Sequence, residues 1–440
     1  MTDIDLAAAV AAIVLVSGAV AIGLMTLTRL VGDRALAWLG AVVGIWAAGA
    51  AIANGSRAAA VGSSLALDGT TAFLAALIGV VTTVSLVLSI AGARTTRIRG
   101  DQVALVLFVA AGAATIVSAA DLLVLFAGLA LISIPFSVIS ARRDPPSAVR
   151  RSLSGATGLA VTAYGIALLY AATSETGYAA LGRATHNPLY LAGLGLVLAG
   201  LAWRAVSASG QWSLPVTLAT TGALLRLIGA TRTGDVALDW EVSLAALAAA
   251  ALAVGAVAAL TEPRLRPLLG YAALTQLGYV LVAVAGFATP AAAFSLAVLA
   301  TLSLGAFGVV ALLPEDDPRL SDLAGLVRQR PLVALALGIF VLGLAGLPPT
   351  AGFLARAYVF EAAVRGQLLW LAVVGALATA VSAVALARIV LACVAPPRLD
   401  AVAPQRARIG TVVLVALAFA VVIAGVAPGP LLDAAQAVRF

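Results

Sequence analysis

The sequence predicts an all-α membrane protein with about 14 transmembrane helices, and three observations carry that prediction. Of its 440 residues, 63% are hydrophobic and only 10% charged, with a mean hydropathy of +1.12; soluble domains carry ~25% charged residues. Apolar runs of ~20 residues, the length that crosses a bilayer as a helix, recur along nearly the whole chain. The arginines between those runs also alternate in density from loop to loop.

The runs centre on residues 6–27, 35–54, 70–92, 102–119, 121–140, 152–172, 189–206, 213–231, 239–260, 267–286, 290–313, 331–361, 368–395 and 409–428. The first follows Asp3 and Asp5, with no basic residue ahead of it and no small-residue cleavage site behind, so it reads as a span rather than a removed leader. Glycine and alanine crowd several of the others, as expected where helices meet backbone to backbone in lipid. The run over 331–361 is interrupted by Pro348 and Pro349, flanked by Gly346 and Gly352. Proline removes a helical hydrogen bond and clashes with the preceding turn, which predicts two half-helices there.

All 26 basic residues are arginine. Loops after odd-numbered runs hold 17 of them (29, 34, 94, 97, 99, 142, 143, 150, 151, 264, 266, 319, 328, 330, 398, 406 and 408). Loops after even-numbered runs and the C-terminal tail hold 5, at positions 57, 183, 232, 365 and 439. By the positive-inside rule the odd loops are cytoplasmic and both termini lie on the opposite side. A miscounted helix would scramble this alternation. The net charge of +7 is spread over short loops instead of one face, which argues against nucleic-acid binding. One cysteine, Cys393, and one histidine, His186 in a loop, exclude iron–sulfur ligation, a cysteine zinc site and a disulfide framework.

Arg204, Arg226, Arg356 and Arg388 fall within or beside spans. A charge at membrane depth costs ~2.5–3.5 kcal/mol or more, so it normally faces the bundle interior or water. Arg356, about two turns past the proline break, reads either as a fixed charge in a hydrated pathway or as a kink-side arginine that pairs with an acid or snorkels. Asp121, starting the fifth span, is the matching acid; it serves that pathway, or caps its helix and holds Arg142 or another charge. Glu361 and Arg388 read as interfacial. Tyr271 and Tyr279, two turns apart on one face, read as packing and hydrogen-bonding groups. "GLAWR" (Gly200–Arg204) echoes "GFLAR" (Gly352–Arg356) five spans later, as an inverted repeat would.

"DLAGLVRQRPLVALALGIFVLGLAGLPPTAGFLARAYVF" (Asp322–Phe360) closely resembles the antiporter-like subunits of complex I-type NADH:quinone oxidoreductases, above all subunit N. "LALDG" (Leu65–Gly69), "SAADLLVLFAGLALISIPF" (Ser118–Phe136), "YGIALLYAAT" (Tyr164–Thr173), "RLRPLLGYAALTQLGYVLV" (Arg264–Val282) and "LSLGAFGVVALL" (Leu302–Leu313) extend the resemblance over roughly 65–395. Mrp-type cation/proton antiporter subunits and membrane subunits of hydrogenase complexes share much of the pattern. The resemblance implies two inverted five-helix repeats (spans 4–8 and 9–13), with helices 7 and 12 broken. Domains follow as 1–101, 102–232, 238–395 and 396–440. It also implies a polar axis relaying protons through a glutamate in span five, lysines in spans seven, eight and twelve, and a histidine in span ten.

This chain departs from that pattern at each of those places. Ala130 aligns with the glutamate, Arg204 with the span-seven lysine, Gln276 with the histidine and Arg356 with the span-twelve lysine. Arg226 falls within a residue of the span-eight lysine in one alignment and is a helix-end arginine in another. After span seven the segment is shorter, leaving "RAVSASGQWSLPVT" (Arg204–Thr217). A relay needs groups that bind and release protons, and arginine effectively never lets its proton go. The expectation is a membrane-arm subunit with a degenerate relay, in the bacterial inner membrane beside other such subunits. It would carry no cofactor of its own; NADH, FMN, iron–sulfur clusters and quinone would belong to other subunits. A structural or assembly subunit of the same complex, and a subunit of a cation/proton antiporter or membrane-bound hydrogenase, are the alternatives. Proton-pathway candidates are Asp121, Arg204, Arg226, Tyr271, Gln276, Tyr279 and Arg356, with Pro348, Pro349 and Gly352 at the break.

Overall fold

A backbone surrounded by lipid has no water to bind, so each crossing segment must pair its own N–H and C=O groups, which only a helix does within one segment. The apolar runs do this throughout. The structure, a computed structural model, describes residues 3–29, 31–55, 60–61, 64–92, 98–143, 145–183, 187–207, 211–231, 237–313, 318–396, 408–436 and 438.

Helices α1 (Asp3–Thr28), α2 (Asp33–Gly55) and α3 (Gly69–Ala91) form an N-terminal group. Between α2 and α3 a small antiparallel hairpin pairs β1 (Ala60–Val61) with β2 (Ala66–Leu67). A second group comprises α4 (Gly100–Ser118), α5 (Leu122–Arg143), α6 (Pro145–Thr173), the single turn α7 (Tyr178–Leu181), α8 (Pro188–Ser207) and α9 (Leu214–Thr231). A third comprises α10 (Ala237–Thr261), α11 (Leu265–Ala285), α12 (Thr289–Ala311), α13 (Leu326–Gln329), α14 (Pro331–Ala345), α15 (Ala351–Arg365) and α16 (Leu369–Val394). Helices α17 (Arg408–Val426) and α18 (Gly429–Gln436) follow. Among the described residues, 12 helices are long and apolar enough to cross a membrane; α9 and α14 are apolar but shorter.

The boundaries follow those read from hydropathy, with α14 and α15 split at the prolines as expected. The seventh span differs. Helix α8 runs unbroken from Pro188 to Ser207, because it holds no internal proline and its Gly193 and Gly200 face a neighbour instead of opening a gap. A Cβ on Gly165 would sit 2.7 Å from the Gly193 carbonyl, and one on Gly200 would sit 2.9 Å from that of Gly158. The α6–α8 contact therefore depends on backbone meeting backbone.

In the second group α4 touches α5 and α9, closing a ring through α6 and α8. Helix α12 is the central member of the molecule. It packs on α3 and α9 on one side and on α11, α14, α15 and α17 on the other. Its polar residues Ser295 and Ser303 are consequently sealed inside, each 1% exposed or less.

Candidate functional site

The break between α14 and α15 is built by glycine. Gly346 takes a left-handed conformation (φ 71°) that any other residue adopts at a cost. Its N–H donates to Gly343 O (3.0 Å) while the Leu347 N–H donates to Leu342 O (3.0 Å), the paired bonds that end a helix with a left-handed cap. The Pro348–Pro349 peptide is cis. Helix α15 then starts against the end of α14 so closely that a Cβ on Gly352 would stand 1.9 Å from Gly343 O.

The helix-ending bonds leave the carbonyls of Leu344 and Ala345 open, and Arg356 fills them. One turn past Gly352, its side chain folds back: Nη1 donates to Ala345 O (2.7 Å) and Nη2 to Leu344 O. A cation at a helix C-terminus meets the negative end of the macrodipole. The guanidinium also lies over Tyr279, 4.6 Å from the ring centroid, an attractive cation–π placement. Tyr279 is anchored in turn, its hydroxyl donating to Gly375 O (2.7 Å) and lying 2.6 Å from the Thr379 hydroxyl. Arg356 is 3% exposed, so it does not snorkel. Glu361 pairs with Arg365 instead, at 2.6 Å.

Gln276 lies one turn from Tyr279 on α11. Neither its amide nor the hydroxyls of Ser295 and Ser303 hydrogen-bond to a protein group among the described residues. Tyr271 lies two turns before Tyr279 on α11; its carbonyl accepts from the Thr275 hydroxyl (3.1 Å) on the side facing Gly255.

The other buried arginines have different surroundings. Arg204 of α8, 5% exposed, sets its guanidinium against α6, where a Cβ on Gly155 would be 2.5 Å from Nη1. Arg226 lies inside α9, ahead of its last turn. Its Nη2 donates to Asp68 Oδ1 (2.8 Å) and Thr71 Oγ1 (2.7 Å), tying α9 to α3. Asp68 also caps α3 by accepting from the Thr71 N–H (2.7 Å). Arg388 does more than snorkel: it donates to the carbonyls of Ala259, Leu260 and Glu262 at the end of α10.

Asp121 caps α5 as one reading proposed, accepting from the Leu123 N–H (2.7 Å), but its side-chain partner is the Thr176 hydroxyl (2.6 Å). Arg142 stands at the other end of α5, a helix of 22 residues, far beyond its reach. Asp68 and Thr71 are the residues that sequence reasoning missed. Asp68 lies in "LALDG", and its partner is 158 positions away. No group of three or more potential metal ligands occurs among the described residues. His186 lies outside the described residues.

A bundle of long apolar helices around a broken helix, with arginines fastened inside, defines a multi-pass membrane protein of the antiporter-like class. The profile of the NADH:quinone oxidoreductase/Mrp antiporter membrane family matches residues 119–382. Subunit N of NADH-quinone oxidoreductase from Geobacter metallireducens is 33% identical over 368 residues, covering 78% of this chain and 79% of that protein. The chain belongs to this NADH:quinone oxidoreductase/Mrp antiporter family. A chain of respiratory complex I from Thermus thermophilus superposes with a TM-score of 0.85 at 26% identity, over 98% of this chain and 100% of the other. A chain of the Mrp complex from Dietzia shares the fold, with a TM-score of 0.82 at 20% identity over 99% and 97% of the two chains.

Proposed function

We propose that this chain is a membrane-arm subunit of a proton-translocating, complex I-type NADH:quinone oxidoreductase, and that its own proton relay is static. The observation that carries the second part is the seat of Arg356. Where the resemblance expects a lysine that gains and loses a proton, a guanidinium is spent on two helix-end carbonyls and an aromatic face. Asp121, Arg204, Arg226, Tyr271, Gln276, Tyr279 and Arg356 then serve as a polar interior that orders water instead of a chain of proton carriers. NADH, FMN, iron–sulfur clusters and quinone belong to other subunits in this reading.

The same reading counts fourteen spans, taking α9 as one and α14 with α15 as one broken span. Both termini lie on the non-cytoplasmic side of a bacterial inner membrane. Two inverted units, 102–232 and 238–395, follow the N-terminal helices (1–101) and precede the C-terminal helix and tail (396–440). A pair of equivalent backbone staples supports the inversion. In the first unit the Leu122 N–H donates to Thr176 O (3.0 Å) and the Tyr178 N–H to Ala120 O (2.9 Å). In the second, the Leu265 N–H donates to Pro318 O (2.8 Å) and the Leu320 N–H to Pro263 O (3.0 Å). Each staple joins the loop after a unit's first helix to the loop after its third.

Reconstituting the assembled complex in proteoliposomes tests the static relay. Fewer protons should move per electron than the full stoichiometry of the family, and Ala130→Glu with Arg204→Lys and Arg356→Lys should raise the number. Full stoichiometry in the unaltered complex would sink the idea. Arg356→Ala separates the scaffold reading from a transporting one: loss of coupling in an intact complex marks transport, loss of the complex marks scaffold.

A further inference from the structure

The arginine-poor end of the bundle is roofed by extended chain. Leu65 bridges Ala119 and Asp121 bridges Gly177, while the Ala120 N–H donates to Ser64 O (3.0 Å). Beneath this roof α7, carrying Tyr178, packs on α9, carrying Arg226. Tyr178 is 4% exposed, and its hydroxyl bonds to no protein group among the described residues; the same holds for Arg226 Nε. Two buried donors are thus left over in neighbouring elements, and native proteins rarely leave such groups dry.

The surroundings decide what satisfies them. Burial pushes the Tyr178 phenol up, Arg226 draws it down and Asp121 raises it again, so both charges act on this one hydroxyl and it remains a neutral donor. An anion would suit Arg226, but Asp68 already neutralises that charge at 2.8 Å and Asp121 adds a second carboxylate. The polar donors and the net negative balance favour a neutral ligand that both accepts and donates. Asp121 Oδ1 and Oδ2 each accept one bond, from Leu123 and Thr176, and each retains a lone pair.

We propose that ordered water binds between α7 and α9, accepting from Tyr178 Oη and Arg226 Nε and donating to the Asp121 carboxylate. Asp68, Arg226, Tyr178 and Asp121 then act as one water-bridged clasp. It fastens α3, and with it the N-terminal helices, to the second helix group and to the roof above. The clasp depends on neither the redox partner nor the state of the relay.

The test is a map of the chain in its native assembly, fine enough to show ordered water elsewhere in the buried interior. Water within hydrogen-bond reach of both Tyr178 Oη and Arg226 Nε is the expected result; either atom dry overturns the proposal. Thermal unfolding of Tyr178→Phe is the second measurement. If water bridges the hydroxyl, the variant should melt about 1–2 °C lower. An equal or higher midpoint overturns the clasp, because deleting an unbonded hydroxyl costs nothing and removes a desolvated dipole.

Discussion

Arg356 is held where it is by the absence of a side chain at Gly346. A Cβ there would lie 2.5 Å from Arg356 Cδ and 2.6 Å from Nε, on a residue already at φ 71°. Gly346→Ala therefore brings a left-handed backbone cost of roughly 1–2 kcal/mol and displaces the guanidinium from its carbonyls. Thermal unfolding of the purified protein should show a loss larger than the backbone cost alone. In the double variant with Arg356→Met the excess should shrink, since the displaced group is gone. Additive losses would mean that the turn and the arginine are independent. Arg226 makes the complementary point: its charge is matched by Asp68, whereas that of Arg356 is matched by peptide dipoles.

At the scale of elements, the half-helices α14 and α15 touch through Gly343 and Gly352 with no side chain between them. Gly352→Val should prevent that contact and abolish monodisperse protein on size-exclusion chromatography. Gly338→Ala, on α14 with nothing within 4 Å of its new Cβ, should leave the profile unchanged. If both behave alike, the crossing is not tightly specified. This break was legible in advance because two prolines and two glycines stand together, and each acts on its own backbone. Helix limits were legible for the same local reason: apolar length and flanking arginines need no knowledge of distant contacts. The unbroken course of α8 was not, because the expected break came from resemblance and nothing in Pro188–Ser207 itself encodes it.

For the whole molecule, what hydropathy left unread was pairing. Asp68 and Arg226 are far apart in sequence, and one sequence carries no trace of which acid a buried arginine will find. The arginine pattern separated loop residues from interior ones, and Arg204, Arg226 and Arg356 are indeed all buried. Their partners (a glycine face, a carboxylate, two carbonyls) emerged only in three dimensions. Helix α12 lies between those settings, touching both helix groups. Purification in mild detergent followed by mass spectrometry should recover NADH-oxidising and iron–sulfur subunits with this chain. Hydrogenase subunits, or several antiporter subunits alone, would redirect the assignment.

The carbonyl-held guanidinium of Arg356 also bears on membrane voltage. A transmembrane field does work only on charge that is displaced through it, ~2.3 kcal/mol per elementary charge per 100 mV. A lysine that swings or sheds its proton gives the field something to move. The Arg356 charge is tied to the Leu344 and Ala345 carbonyls and travels through none of the drop. A charge fastened in this way offers the field little to displace, and it adds a fixed positive potential to the interior around it.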